Sequence, residues 1–198
     1  MLGIFLDIES TGLDPSRHCA IDIAFKIIDL CSGELKRSFN QLIEPTKENW
    51  EKRDPVSMKI NGYSFECLFG AKNARQVGEE IVNIFTEEGI ERGKAVFICQ
   101  NPSFDRTFFA QLVGIQTQEK LLWPYHWLDL ASMYWALLVR KQLENGLPIP
   151  DRISLSKNDI ARAFHLEVES DPHRAINGVN HLIVCYQAVL GVQFSVSV

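Results

Sequence analysis

Two carboxylates, Asp7 and Glu9, stand one residue apart just after the apolar run 2–6. Side chains alternate between the two faces of a β-strand, so a strand here projects both acids to the same side. Two close negative charges need a cation, and carboxylate oxygens are ligands that Mg²⁺ and Mn²⁺ prefer. The pair is therefore a candidate metal site, although two solvated acids at an exposed strand end explain an isolated Asp-x-Glu equally well.

Length, composition and charge limit the class of protein. The chain has 198 residues, of which 46% are hydrophobic, and this predicts one compact domain over residues 1–198 with a full core. The net charge of -5 gives no broad basic surface. A nucleic-acid partner would therefore have to be bound locally, at a site, and not along a positively charged face.

The cysteines and the apolar segments indicate the compartment. The five cysteines are odd in number and form no Cys-x-x-Cys pair, which argues against a disulfide framework and against a zinc ribbon. The sequence contains neither a basic start followed by a long apolar region nor 18 uninterrupted apolar residues. We therefore expect a cytoplasmic protein with reduced thiols and no membrane partner.

The opening third of the chain predicts an antiparallel meander, and the remainder predicts alternating helices and strands. Turn residues at 10–15 and 31–34 separate the first strand from strands at 20–30 and 36–44, and no helix fits before residue 45. Further strands are predicted at 95–99 and 123–129. Helices are predicted at 55–60, 73–88, from 102 onward, at 130–142, at 156–164, and after an N-cap and proline at Asp171 and Pro172.

A third acid, Asp105, follows the strand predicted at 95–99 and falls in the first turn of the next helix. Ligand sites of open α/β sheets lie at the carboxyl ends of strands, so Asp105 could join Asp7 and Glu9. Taken alone, however, an acid in the first turn of a helix is well explained by its favourable interaction with the helix dipole.

Three segments, 5–13, 101–109 and 173–178, together resemble the DnaQ-like 3′–5′ exonucleases, the DEDDh branch of the ribonuclease-H-like superfamily. The resemblance covers nearly the whole chain. It implies an α/β fold with a five-stranded mixed sheet, in which an antiparallel meander is followed by parallel strands and helices flank the sheet. This agrees with the order of elements predicted from the residues.

The resemblance also implies the roles of the site residues. Asp7, Glu9 and Asp105 would help to hold two Mg²⁺ or Mn²⁺ ions, and His173 would be the general base on the attacking water. The other histidines, His18, His126, His165 and His181, are interpreted as surface residues. The residues implied or suspected to contact the substrate are Ser10, Thr11, Gly12, Leu13, Asn61, which replaces a more usual histidine, and Phe104.

Gly178 departs from the family pattern, which has a metal-binding aspartate at the fifth position after the histidine. Glycine inside a helix costs about 1 kcal/mol relative to alanine, and the neighbouring residues suggest no kink or cap. Asn177 is adjacent but points elsewhere around the helix and carries no charge. Either this is an inactivating change in an ordinary exonuclease, which we favour, or the chain is a natural relative with weakened catalysis. We expect at most one well-bound ion. We expect Gly178→Asp to add a second ion and to stabilise the helix slightly, mainly when Mg²⁺ or Mn²⁺ is present, because the new carboxylate repels Asp7 and Glu9 in metal-free protein.

The expected function is a metal-dependent exonuclease that removes nucleotides from the 3′ end of single-stranded nucleic acid, with DNA the favoured substrate. Polymerase proofreading in DNA replication and repair, with a DNA polymerase as partner, is the favoured setting. The sequence does not separate DNA from RNA, or proofreading from the clearance of small oligonucleotides. The alternative is a catalytically silent module of the same fold that binds nucleic acid or a polymerase.

Overall fold

The computed structural model describes residues 1–195 and contains one five-stranded sheet. Along the sheet the strands lie in the order β3-β2-β1-β4-β5. Their bounds are Leu2–Ser10 for β1, Ala20–Asp29 for β2, Leu35–Leu42 for β3, Ala95–Cys99 for β4 and Trp127–Asp129 for β5. The pairs β1/β2 and β2/β3 are antiparallel, whereas β1/β4 and β4/β5 are parallel. The predicted mixed sheet, a meander followed by parallel strands, is confirmed.

The central strand β1 is buried on both faces, as its apolar run predicts. Leu6 and its even-numbered neighbours pack into one core cluster with Phe85 and Phe109, while Phe5 packs into a second cluster on the other face with Tyr186. Because side chains alternate along a strand, Asp7 and Glu9 project to the face of Phe5. The alternation of side chains along β1 therefore decides which helices the two acids face.

Nine helices flank the sheet within residues 1–195. They are α1 Lys47–Glu51, α2 Pro55–Asn61, α3 Phe65–Leu68, α4 Ala74–Glu87, α5 Pro102–Leu112, α6 Ile115–Lys120, α7 Leu130–Glu144, α8 Lys157–Ala163 and α9 Ala175–Leu190. Helices α4 and α5 contribute to the core cluster on one face, and α9 covers β1 and β2 on the other, where α7 and α8 contact it.

Most predicted helices are confirmed, and their ends have the expected residues. Asp54 caps α2 by accepting from the Ser57 amide, and Gly62 ends the helix in the left-handed conformation. Asn73 and Gln76 form a capping box at the start of α4. The short helices α1, α3 and α6 are not predicted, because segments of four to six residues show too little periodicity.

Two predicted boundaries are wrong. The last strand comprises only Trp127–Asp129, and Trp123 instead packs among the aromatic side chains of the core. Asp171 and Pro172 do not begin the final helix, which starts at Ala175 with Arg174 in the N-cap position and without a side-chain cap. No helix among residues 1–195 is long and apolar enough to cross a membrane.

Candidate active site

An open cavity of about 310 Å³ lies at the carboxyl ends of β1 and β4 and collects residues from remote parts of the chain. It is lined by the four residues for which catalytic roles are predicted, by the predicted substrate contact Phe104, and by several residues without a predicted role. The lining residues are Asp7, Ile8, Glu9, Gln100, Phe104, Asp105, Ser156, Lys157, Asn158, Glu169 and His173.

Asp105 is fixed against β1 by the backbone. Two residues separate the end of β4 from the start of α5, which places Asp105 in the first turn of the helix, beside the neighbouring parallel strand β1. There its Oδ1 accepts a hydrogen bond from the Ile8 amide at 3.0 Å, and the side chain is 3% exposed. The packing of parallel strands thus joins the acid of α5 to the two acids of β1.

His173 precedes α9 and is held by contacts to α2. Its amide donates to the Ile60 carbonyl at 3.2 Å, and the guanidinium of Arg174 donates to the Asn61 carbonyl and lies 4.1 Å from the centre of the Tyr63 ring. The His173 side chain remains 32% exposed, with Nε2 3.7 Å from Asp171 Oδ1. The imidazole is therefore accessible to a water molecule in the cavity.

Gly178 is buried in α9 and lies directly against Asp7. A Cβ built at this position would be 2.2 Å from Asp7 Oδ2 and 2.5 Å from Asp7 Cγ, which no real packing allows. Neither a kink nor a cap accounts for this glycine, but the close approach of the Asp7 carboxylate to α9 does, because it leaves no room for a side chain. The expected stabilisation by Gly178→Asp stays a prediction, and in metal-free protein the contact with Asp7 opposes it.

Lys157 is the main residue of the site that the sequence analysis missed. The side chain is 11% exposed, and Nζ lies 2.8 Å from Glu169 Oε2 and 3.6 Å from Asp7 Oδ1. Nζ also donates to the Gly178 carbonyl at 3.3 Å. The sequence contains one local indication of its role. Lys157 is the first residue of α8, where the helix dipole disfavours a positive charge, so an interaction elsewhere must account for a lysine at this position.

Glu169 lines the cavity and connects Lys157 to His181, which lies outside the cavity. The interpretation of His181 as a surface residue is wrong, because its side chain is 9% exposed and Nδ1 lies 3.9 Å from Glu169 Oε2. Burial raises the pKa of Glu169, but the contacts with His181 and Lys157 outweigh burial and lower it to about 2. Glu169 is therefore ionised, and it anchors the ammonium group of Lys157.

The other carboxylates of the cavity are harder to ionise. Burial, together with the charges of Asp7 and Glu169, raises the pKa of Glu9 to about 8. Burial also raises the pKa of Asp7 against the opposing effect of Lys157, and burial with the charge of Asp7 raises the pKa of Asp105 well above its usual value. Close acids that repel one another are typical of a site that takes up a cation.

The donor types fit a hard cation, but their arrangement does not fit two. Asp7, Glu9 and Asp105 offer the carboxylate oxygens that Mg²⁺ or Mn²⁺ prefers. Among residues 1–195, however, no three side chains of His, Cys, Asp or Glu are grouped as the ligands of one ion. Gly178 supplies no ligand, and the ammonium of Lys157 already lies beside Asp7. The implied two-ion site therefore disagrees with the residues present.

Most of the predicted substrate contacts lie outside the cavity. Ser10, Thr11 and Asn61 are buried, and the Asn61 amide donates to the Ser10 carbonyl at 3.0 Å, which connects α2 to the end of β1. Gly12 packs against the His18 ring, and Leu13 is exposed. Phe104 lines the cavity beside Asp105. Contact of any of these residues with nucleic acid stays a prediction.

Comparison with known proteins identifies the fold but no sequence relative. No protein-family model and no curated protein matches the chain. Among solved structures, cell-death related nuclease 4 aligns with a TM-score of 0.72 and 15% identity, over 96% of this chain and 64% of that one. The zinc-bound complex of E. coli exonuclease I with single-stranded DNA aligns with a TM-score of 0.71 and 16% identity, over 96% of this chain and 40% of that one.

A 3′-exonuclease that recognises the 3′ end of a histone mRNA stem-loop aligns with a TM-score of 0.66 and 12% identity, over 98% of this chain and 65% of that one. The chain thus spans less than two thirds of the length of each of these structures. At such identities the likeness establishes the fold alone. The chain has the ribonuclease-H-like fold, a five-stranded mixed sheet flanked by helices, that these nucleases share.

Proposed function

We propose that this protein is a DnaQ-like 3′–5′ exonuclease that hydrolyses phosphodiester bonds at the 3′ end of single-stranded nucleic acid. One observation carries the proposal: Asp7, Glu9, Asp105 and His173 come from three remote segments and line a single cavity. Structural neighbours that bind single-stranded DNA or act on a 3′ end support it. A single domain over residues 1–198, DNA as the preferred strand and a polymerase as partner belong to the same proposal.

The residues of the cavity have separate tasks in this reaction. The exposed imidazole of His173 takes the proton of the attacking water as a general base. Phe104 offers a ring against which the terminal base can stack. The Asp105 carboxylate is held rigidly by the Ile8 amide, which fixes its orientation before substrate binds.

A bound Mg²⁺ or Mn²⁺ would supply charge stabilisation for the phosphate and a more acidic water molecule. Asp7, Glu9 and Asp105 are the residues that would hold it, because their carboxylate oxygens line the same cavity and are the donor type that such an ion prefers. With Gly178 in place of a ligand, we expect weak ion binding and slow cleavage.

Digestion of a 5′-labelled single strand, as DNA and as RNA, tests the proposal in Mg²⁺ and in Mn²⁺. We expect a ladder of products shortened from the 3′ end, and no ladder when the terminal 3′ linkage is blocked by a phosphorothioate. Asp105→Asn should abolish the ladder, and Asp151→Asn, which changes an exposed acid outside the cavity, should leave it intact. Cleavage of neither strand, or equal cleavage by Asp105→Asn, would refute the assignment.

A catalytically silent nucleic-acid- or polymerase-binding module is the second candidate. The observation that favours it is the ammonium of Lys157 beside Asp7, together with the missing ligand at Gly178. Such a module would retain affinity for a labelled single strand, in a filter-binding or anisotropy assay, while producing no ladder in either metal. Retained binding without any cleavage would therefore replace the first candidate with this one.

A further inference from the structure

The cavity contains a buried protein cation. Among the described residues that line it, Lys157 is the only lysine or arginine, and its side chain is 11% exposed. Nζ contacts a carboxylate on each side, Glu169 at 2.8 Å and Asp7 at 3.6 Å. A buried lysine is stable only where paired acids replace its hydration, and Glu169 and Asp7 do so here.

Glu169 is built to hold this ammonium in place. Its side chain is 3% exposed, and Oε2 accepts from Lys157, while Oε1 has no hydrogen-bond partner among residues 1–195. His181 lies on the side of Oε2 at 3.9 Å. A carboxylate this deeply buried stays ionised only beside a cation, and Lys157 is the closest one.

Gly178 completes the arrangement from α9. Its carbonyl accepts from Lys157 Nζ at 3.3 Å, and the absence of a Cβ leaves room for the Asp7 carboxylate. The same residue thus contributes an oxygen to the ammonium and permits the carboxylate to approach. Lys157, Gly178 and Asp7 are therefore one structural unit, although they are distant in sequence.

We propose that the ammonium group of Lys157 balances the charge of Asp7 and thereby weakens the binding of a divalent ion to this carboxylate. The inference deepens the proposed function and rests on it, because it concerns the ion dependence of the same site. A divalent ion carries two charges to carboxylates that a fixed ammonium has already partly neutralised, so it binds more weakly while Lys157 is present.

Titration of Mn²⁺, followed by electron paramagnetic resonance of the free ion and by calorimetry, tests this inference without any nuclease assay. Lys157→Met keeps most of the length of the side chain and removes its charge, so we expect Mn²⁺ to bind at least about tenfold more tightly. Lys157→Arg keeps the charge and should bind Mn²⁺ like the wild type. Lys94→Met, which removes an exposed lysine paired with Glu91, controls for net charge and should also leave affinity unchanged.

Because Lys157→Met leaves Glu169 without its cation, the variant could fail to fold. Lys157→Met combined with Glu169→Gln removes both charges and should fold while still binding Mn²⁺ more tightly than the wild type. Adding Asp7→Asn to this double variant should abolish the gain. The inference would be overturned if neither Lys157→Met nor Lys157→Met with Glu169→Gln binds Mn²⁺ more tightly than the wild type. Tighter binding by Lys157→Arg would also overturn it. A wild-type chain that cleaves no strand would instead refute the proposed function and leave this binding result unaffected.

Discussion

The contact between Gly178 and Asp7 makes the substitution Gly178→Ala a direct test of how the site is packed. An added Cβ would lie 2.2 Å from Asp7 Oδ2, so the carboxylate must move by about 1 Å to reach ordinary van der Waals contact. Overpacking of this kind costs about 1–3 kcal/mol, and the loss of a glycine from a helix interior returns about 1 kcal/mol. We expect Gly178→Ala to lower the free energy of unfolding by up to about 2 kcal/mol.

The matched background is Asp7→Ala, which removes the obstructing carboxylate. There only the helix propensity remains, so Gly178→Ala should stabilise the chain by up to about 1 kcal/mol. The effect of one substitution should thus change sign between the two backgrounds, which is the coupling that a double-mutant cycle measures. Urea unfolding in EDTA, followed by circular dichroism, gives the four free energies that the cycle requires.

A shift in the melting temperature offers a second readout of the same cycle. For a chain of this size a loss of up to about 2 kcal/mol corresponds to a fall in the melting temperature of up to roughly 8 °C. Gly178→Asp should be at least as destabilising as Gly178→Ala in EDTA, because it adds a like charge to the clash. If Gly178→Ala stabilises the wild-type background, or destabilises Asp7→Ala, the two residues are not in contact and the described packing is wrong.

Three further predictions concern the acids and the histidine of the cavity. Asp7→Ala should abolish nuclease activity in Mg²⁺ or Mn²⁺, and activity within a few-fold of the parent would contradict the assignment. His173→Ala should lower kcat by roughly 10² to 10⁴ with little effect on the affinity for a single strand, whereas His126→Ala, outside the cavity, should change neither. Burial and Asp7 raise the pKa of Glu9 from 4.5 to about 8, so the folded protein holds this proton more tightly than the unfolded chain. The free energy of unfolding in EDTA should therefore fall as the pH rises from about 4.5 to about 8, and urea unfolding of Glu9→Gln should show a smaller fall; an equal fall would assign the pH dependence to other groups.

Local patterns in the sequence predict the central strand and most of the helices, whereas the five-stranded mixed sheet was implied by the family resemblance. The apolar run before Asp7 predicts a strand buried on both faces, and alternation along this strand places Asp7 and Glu9 on one side. Capping residues predict the start of α2 and of α4, because they satisfy backbone groups within three or four residues of themselves. Each of these inferences depends on interactions between residues that are close in the chain, and a sequence displays such interactions directly.

Spacing alone did not show which acids belong together, and the resemblance supplied that grouping. Asp105 has a sufficient local explanation as an acid at a helix start, and only the parallel pairing of β1 with β4 brings it to Ile8. The site residues, including His173, were thus identified from the resemblance of three sequence segments to a known family. The parallel strands bring Asp105 to the acids of β1, and contacts to α2 hold His173 at the same cavity.

The charge balance of the site was decided by the tertiary structure alone. Lys157, Glu169 and Gly178 come from three segments, and no periodic pattern relates them to Asp7. Whether a lysine is solvated or buried between two acids depends on the surfaces that pack around it, here the start of α8, the loop before α9 and α9 itself. Electrostatic energy depends on distance in space and on the exclusion of water, and both are set when remote segments pack together. The sequence by itself determined the strand, the helices and the candidate acids, and the tertiary structure decided which cation those acids meet.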